Sequence, residues 1–354
     1  MTTHVTTPNP HTKWPVAVII GAAASLVLAV VVLAFLWPGK TAQTENLPVS
    51  ISGDQAKISA LENAMSESKT FDFVVAKDRE EAVDQIESQQ TYGAIVLGSA
   101  IEVPEVLTAP AASPVSAQML TGVATGLQAQ ISQQVAKAGG DVASVKVSVT
   151  PVVPFSEHDP NGAGLASASF PMAIGGMIGG VLISLLITGP VRRLAAVATF
   201  GIFAGLVVAF IMQTWFQYLQ GDFWLNSLAM GLTMMATASF IVGCTSLIGR
   251  AGIGIGAVLT MFVGNPLSGA TMPWQFLAAP WGAIGQHMVP GASGSLIRSL
   301  SYFPEASTSA QWWTLGAWAL VGIVLTLIGH FRAKESMHVP ESTLETTHVG
   351  KHAS

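Results

Sequence analysis

The sequence predicts a membrane α-helical protein with six transmembrane helices and an extracytoplasmic α/β domain inserted between helices 1 and 2. Half of its 354 residues are hydrophobic and 10% are charged, and the mean hydropathy of +0.54 exceeds that of soluble proteins. Residues 38–159 carry 15 acidic and 7 basic side chains, which indicates one water-soluble domain. Because the net charge is −5, we expect no nucleic-acid partner.

The first transmembrane helix is predicted over residues 15–37, after a cytoplasmic tail at 1–14. The segment contains no charge, and about 20 apolar residues are enough to cross a bilayer core. A cleaved signal peptide is the alternative, but its apolar core is usually shorter and ends at a small-x-small site. We therefore favour an uncleaved helix.

The extracytoplasmic domain is predicted over residues 38–159 because strand and helix patterns alternate there. Short apolar segments predict strands at 47–52, 71–76, 92–98 and 106–111. Asp78 and Glu81 have the spacing of a capping box that begins one helix, and Ser113-Pro114 suits the start of a longer one. An extended segment at 145–155 leads back to the membrane.

The bundle, predicted over residues 160–334, begins with a charge-free stretch at 160–191 that provides the second helix. Within this stretch two overlapping G-x-x-x-G pairs remove the side chains from one helix face, so that another helix can approach closely. We therefore predict helix packing at these glycines, which are Gly175, Gly176, Gly179 and Gly180.

Four further apolar runs complete the six helices, at residues 194–216, 223–248, 251–264 and 312–331. With six spans the basic residues near the helix ends lie on one side, which the positive-inside rule makes cytoplasmic. Those residues are Lys13, Arg192, Arg193, Arg250, Arg332 and Lys334. We thus expect a multi-pass protein of the cytoplasmic (inner) membrane with both termini cytoplasmic, surrounded by lipid, and a disordered cytoplasmic tail at 335–354.

Residues 265–310 are predicted to form a re-entrant outer loop. The stretch 251–297 has no Asp, Glu, Lys or Arg, yet its prolines prevent one long helix. Irregular backbone at membrane depth persists only where protein or a water-filled cavity satisfies it. The loop could line an outer gate or simply cover the bundle as a lid. The candidate gate residues are Asn265, Pro266, Pro273, Pro290, Gly291 and Arg298.

Four segments resemble the ABC-2-type transporter permease family, in particular its phage infection protein (YhgE/Pip-like) branch. They are NLPVSISGDQ at 46–55, the block at 71–99, VVPFSEHDPNGAG at 152–164, and the block at 264–303. The resemblance implies an export permease that forms a homodimer and is driven by a separate ATP-binding subunit. The chain itself has no G-x-x-x-x-G-K-[ST] motif.

Two short motifs suggest enzymatic or metal chemistry, but both have simpler explanations. The G-x-S-G string at 291–294 is similar to that of rhomboid intramembrane proteases, and its serine would need a nearby histidine. His330 lies at the other end of the last helix and His287 in the same loop, so a glycine-rich turn is favoured. Glu157-His158-Asp159 could bind a metal, but an Asp-Pro turn is favoured. We therefore predict no enzyme, metal or cofactor.

The leading functional hypothesis is a permease of the ABC-2 type that exports a hydrophobic or amphipathic molecule across the cytoplasmic membrane as a dimer. Ion-coupled transport is disfavoured because the predicted spans contain no Asp, Glu, Lys or Arg. The alternative is a non-transporting, membrane-anchored surface receptor or scaffold whose external domain binds a partner.

Overall fold

The computed structural model describes residues 13–65, 68–98, 103–142 and 145–335. The predicted tails, up to residue 12 and from residue 336 onward, lie outside the described residues. The chain begins with helix α1 (Trp14–Thr41), continues as an α/β domain and ends in a helical bundle.

The α/β domain contains a five-stranded mixed sheet with strand order β2-β1-β3-β4-β5. Strands β3 and β4 pair antiparallel, whereas the other neighbours pair parallel. Each of the four segments predicted as strands overlaps an observed strand, and the extended segment predicted at 145–155 contains the fifth. In chain order the elements are β1 (Leu47–Ser52), α2 (Gln55–Met65), β2 (Phe71–Val75), α3 (Arg79–Glu87), β3 (Gly93–Val96), β4 (Glu105–Thr108), α4 (Pro114–Lys137) and β5 (Ser148–Pro151).

Helices cover both faces of this sheet, so its central strands bury apolar side chains on both faces. Successive residues of a strand point to opposite faces, and Ala94 and Ile95 of β3 accordingly belong to different hydrophobic clusters. Ile95 packs in a cluster with Ile58 of α2 and Leu120 of α4. Ala94 packs in a cluster with Ile86 of α3, and this second cluster continues without interruption into the helical bundle. The domain therefore shares part of its core with the bundle.

The helical bundle is built around one central helix, α7. Over its most apolar stretch α7 is 78% buried, whereas the other long helices reach at most 33%, and it contacts α5, α6, α8, α10 and α11. The bundle helices are α5 (Ala163–Leu186), α6 (Pro190–Ala209, extended as a π-helix to Trp215), α7 (Phe223–Ile248), α8 (Ala251–Ala257, extended as a π-helix to Val263), α9 (Trp281–Gln286), α10 (Val289–Tyr302) and α11 (Ser309–Glu335).

Five of the described helices are long and apolar enough to cross a membrane, so by length and composition the chain is a multi-pass membrane protein. These are Trp14–Thr41, Ala163–Leu186, Pro190–Trp215, Phe223–Ile248 and Ser309–Phe331. The run predicted as a sixth transmembrane helix at 251–264 is helical, but it comprises seven residues of α-helix and six of π-helix. It is thus shorter than the roughly 20 residues that cross a bilayer core.

The chain nevertheless continues along α7 after this short helix. Gly252 packs against Cys244 near the C-terminal end of α7 and Gly256 packs against Ile241. After an irregular stretch, α10 follows α7 towards its N-terminus, where Ser301 contacts Asn226. Residues 251–302, called the broken segment below, therefore run the length of α7 in two helical pieces. The cause is the series of prolines in the irregular stretch, which interrupt backbone hydrogen bonding.

Glycines allow the neighbouring helices to approach α7 closely. A Cβ atom on Gly180 would lie 3.0 Å from the Cα atom of Ala238, and one on Gly176 would lie 3.0 Å from the Cβ atom of Thr237. Gly179 instead faces the Phe200 ring of α6. A Cβ atom on Gly175 would meet only Met234 Sδ, at 4.0 Å. The predicted quartet thus contacts two different helices, and Gly175 contributes least to the packing.

One end of the bundle is held together by Arg193, and the α/β domain lies at the other end. The Arg193 guanidinium donates to the carbonyls of Ser184 and Ile187 at 3.0 and 2.8 Å and to Ser246 Oγ at 3.0 Å. It thereby joins the ends of α5, α6 and α7. We call this the arginine end, because Arg192 at the start of α6 and Arg250 between α7 and α8 lie there as well.

Candidate functional site

The α/β domain is attached to the predicted re-entrant loop through Phe276. This side chain is 2% exposed and packs in the hydrophobic cluster that contains Leu47 and Val49 of β1. The backbone N–H of Gln43 also donates to the Phe276 carbonyl at 2.9 Å. The loop is therefore part of the core of the domain.

Two side-chain hydrogen bonds connect the same regions. The Tyr92 hydroxyl donates to Gln275 Oε1 at 3.0 Å, and the Ser299 hydroxyl of α10 donates to Gln89 Oε1 at 2.7 Å. Burial raises the pKa of the Tyr92 phenol, with the charge of Arg298 and the bond to Gln275 acting in the opposite direction. Tyr92 therefore remains a protonated donor at neutral pH.

A cavity of about 560 Å³, called the polar cavity below, lies between the domain and the loop. Its volume is typical of small-molecule sites. The described residues that line it include no Asp or Glu. Polar side chains reach it from the domain, the loop, α9–α10 and α11, and these include Gln89, Tyr92, Gln275, Gln286, Ser295, Arg298 and Gln311.

Arg298 is the cation that lines the polar cavity, and it is partly buried there. Among the described residues its guanidinium has no hydrogen bond or ion pair, and the titratable groups that act on it are the phenols of Tyr92 and Tyr302, which are uncharged at neutral pH. It also lines a smaller cavity of about 200 Å³ together with Tyr302 and Asp159. The Asp159 carboxylate accepts hydrogen bonds from backbone N–H groups of α5 and makes none with Arg298. Removing an arginine from water without a counter-charge costs free energy, and the polar cavity supplies no counter-charge of its own.

Gln311 of α11 also lines the polar cavity, but its unpaired Oε1 atom is buried in the protein and does not face the cavity. This atom has no hydrogen-bond partner among the described residues. A buried acceptor without a donor is uncommon in folded proteins. The other glutamines are used differently, since Gln286 donates to the Ser268 carbonyl at 2.9 Å and accepts from Ser295 at 2.6 Å.

A second cavity, called the apolar cavity below, lies between α1 and the re-entrant loop. It measures about 430 Å³ and is lined almost entirely by apolar side chains. Helix α1 contributes Leu33 and Trp37, and the loop contributes Pro266, Leu277 and Trp281. Residues 268–275 of the same loop line the polar cavity, so the two cavities border neighbouring parts of one segment.

The six candidate gate residues are distributed over several places. Arg298 and Pro273 line the polar cavity, and Pro266 lines the apolar cavity. Pro290 lies deeper, in a small pocket with Thr233 and Ser293. The other two residues have structural roles. A Cβ atom on Gly291 would lie 2.1 Å from the Gly285 carbonyl oxygen, so this glycine permits a close backbone contact. Asn265 belongs to a turn in which its carbonyl accepts from the Ser268 hydroxyl at 2.7 Å.

Residues of the G-x-S-G string at 291–294 and of the Glu157-His158-Asp159 motif make hydrogen bonds that stabilise the fold. Ser293 is hydrogen-bonded to the hydroxyl of Thr233 at 2.9 Å, and the backbone carbonyl of His287 accepts from the indole N–H of Trp318 at 2.9 Å. The Asp159 carboxylate accepts the backbone N–H groups of Ala163 and Gly164 at 2.9 and 2.7 Å. It therefore caps the N-terminus of α5.

Sequence reasoning missed Tyr92, Gln275 and Gln311 as parts of the site. Each is a single polar residue with no motif around it, and the three belong to a strand edge, a loop and a long helix that only the fold brings together. Comparison of the chain with protein-family models, curated proteins and solved structures finds no match. The function therefore has to be argued from this site.

Proposed function

We propose that the chain is the membrane-spanning subunit of an ABC-2-type permease that exports a hydrophobic or amphipathic molecule across the cytoplasmic membrane. The observation that carries this proposal is the broken segment at 251–302, which follows α7 and ends beside the polar cavity. Irregular backbone inside a membrane bundle is tolerated where it borders a cavity, and transporters place their binding sites at interrupted helices.

The middle of the broken segment supports a path for a polar group. Hydroxyl groups from α7, α8 and α10 meet at the small pocket beside Pro290, and these belong to Thr233, Thr237, Thr260 and Ser293. Hydroxyls inside a bundle can serve helix packing alone. Their position between the arginine end and the polar cavity suits a passage that opens when the two helical pieces separate.

The proposed topology has six passages, counting the five long helices and the broken segment. The arginine end then faces the cytoplasm under the positive-inside rule, and the α/β domain lies outside. In this topology α1 and α11 each cross the membrane once. The N-terminus of α1 and the C-terminus of α11 then lie on the same side as the arginine end, so the proposal has both termini in the cytoplasm.

The proposal includes a homodimer, surrounding lipid and a separate ATP-binding subunit. Helix α1 supports the first two, because its most apolar stretch is 0% buried by the rest of the chain. Such a surface requires either lipid or another copy of the chain as its neighbour. The ATP-binding subunit would supply the energy for export and would contact the arginine end.

Chemical cross-linking tests whether movement between the α/β domain and α10 is needed for export. In a Cys244→Ser background, we would introduce Gln89→Cys and Ser299→Cys, whose native side chains are hydrogen-bonded, and join them with a short cleavable bismaleimide. Efflux of a panel of fluorescent amphiphiles from cells would be measured before and after cleavage. We expect the cross-link to stop efflux and its cleavage to restore efflux.

The matched controls are the two single-cysteine variants treated with the same reagent, which cannot form the cross-link and should retain efflux. Normal efflux by fully cross-linked protein would contradict a gate at this interface. If the panel shows no efflux that depends on the chain, the export proposal itself loses its support.

A second candidate function is a non-transporting surface receptor or scaffold. It is favoured by the short turns at the arginine end, where residues 187–189 separate α5 from α6 and residues 249–250 separate α7 from α8. Such turns offer little surface to an ATPase. Purification from native membranes in mild detergent distinguishes the candidates, because the permease should retain a stoichiometric ATP-binding subunit and the receptor should not.

A further inference from the structure

We propose that the polar cavity binds a phosphate ester, with the phosphate on Arg298. That this ligand is the polar part of the exported molecule rests on the proposed permease function. Binding itself does not depend on that function.

The choice of an oxyanion follows from Arg298. A guanidinium presents several N–H donors in a planar fork that matches two oxygens of a phosphate. In this cavity the fork has no protein acceptor among the described residues, and the lining contributes no carboxylate that could neutralise it. A bound anion would supply both the missing charge and the missing acceptors.

This chemistry has two sources that the cavity does not distinguish by itself, a phospholipid headgroup and a soluble phosphate ester. The apolar cavity on the neighbouring part of the loop offers a place for an acyl chain. The experiment therefore uses phosphatidylglycerol in mixed detergent micelles as one probe and soluble glycerol 3-phosphate as the other. Phosphatidylcholine, whose headgroup carries no net charge, serves as the reference lipid.

The measurement is the shift in the melting temperature of the purified full chain, together with the dissociation constant by titration. We expect phosphatidylglycerol, glycerol 3-phosphate or both to stabilise the wild type, and Arg298→Gln to weaken binding by about tenfold or more. The matched control is Arg79→Gln, which removes the same charge at the domain surface and should bind like the wild type.

A readout without ligand separates this role from a structural one. Because Arg298 is unpaired in the empty cavity, Arg298→Gln should leave the melting temperature of the ligand-free protein unchanged or raise it. A large decrease would mean that Arg298 supports the fold. Wild-type affinity in Arg298→Gln, equal loss in Arg79→Gln, or binding of neither probe would each overturn the proposal. Intact binding in a protein that exports nothing would instead contradict the permease function.

Discussion

Glu105 connects three elements of the α/β domain through one carboxylate. It accepts from Arg79 Nε at 2.7 Å and from the Thr150 hydroxyl at 2.6 Å, so that α3, β4 and β5 are tied together. The hydrogen bond from Arg79 lowers the pKa of Glu105, burial opposes this shift, and the bond from Thr150 adds to it. The ionised form is therefore the one that stabilises the fold.

This lowered pKa predicts a pH dependence of stability. The contribution of Glu105 is fully present above the pKa of about 4.3 that a glutamate has in an unfolded chain, and it is lost as the pH falls through the lower pKa of the folded state. Glu105→Gln should lower the melting temperature at pH 7 and make little difference near pH 3. The effect should be modest because the pair is partly exposed.

Thermal unfolding of the full chain at several pH values checks this prediction, with Glu80→Gln as the control for an exposed glutamate on α3. Equal destabilisation by Glu105→Gln at both pH values would show that the ionised carboxylate is not the stabilising form.

Substituting two glycines of α11 by alanine should have opposite effects on the stability of the bundle. A Cβ atom on Gly322 would lie 2.3 Å from the backbone carbon of Ser239 in α7, whereas one on Gly316 would meet nothing within 4 Å. Gly322→Ala should therefore destabilise the bundle by about 1–3 kcal/mol, as overpacking does. Gly316→Ala is the matched control and should be neutral or slightly stabilising. Unfolding in a denaturing detergent series measures both, and equal stability of the two variants would refute the close contact.

The sequence could identify glycine-rich faces but not the residues that they contact. The G-x-x-x-G spacing of the quartet in α5 indicates a smooth face. Which turn of that face meets a neighbour depends on the crossing angle of the helices, which spacing does not encode. Gly176 and Gly180 therefore meet α7, while Gly175, with the same spacing, contacts little.

At the scale of elements, the broken segment shows both what the sequence reveals and what it does not. Its prolines predicted correctly that residues 265–310 cannot form one helix. The helix before them was predicted with nearly the observed bounds, but it was counted as a transmembrane span although it is too short to cross a bilayer core alone. Apolar composition alone does not distinguish a full crossing from a partial one. The attachment of the loop to the domain through Phe276 was not predicted, because an apolar residue in a loop gives no sign of its partner.

That attachment can be tested by Phe276→Ala. Truncating a buried phenylalanine costs about 3–5 kcal/mol, and here the cost should appear as release of the loop from the domain. We expect a lower melting temperature and faster hydrogen exchange at residues 266–287. Phe203→Ala, at a position 64% exposed on α6, is the control. Unchanged exchange in Phe276→Ala would contradict a loop held by the domain core.

At the scale of the whole molecule, the α/β domain and the bundle are mechanically connected. They share a hydrophobic cluster, and Gln89, Tyr92 and Gln43 add hydrogen bonds to the loop and α10. The sequence predicted both parts and their order, but not this connection. Helix α10 lines the polar cavity and is hydrogen-bonded to the domain. We therefore expect a ligand that enters or leaves this cavity to change the position of α10.

The central position of α7 also bears on how the chain is made. Helix α1 has a mean hydropathy of 3.0 and no buried share in its most apolar stretch, whereas α7 has a mean hydropathy of 1.6 and is 78% buried. A helix with so many hydroxyl groups is poorly suited to lipid on all sides. During synthesis α5 and α6 precede α7, so two of its neighbours are already in the membrane when it emerges from the ribosome. The broken segment and α11 follow and close the remaining sides, and the order of the chain thereby limits the time that α7 spends in lipid.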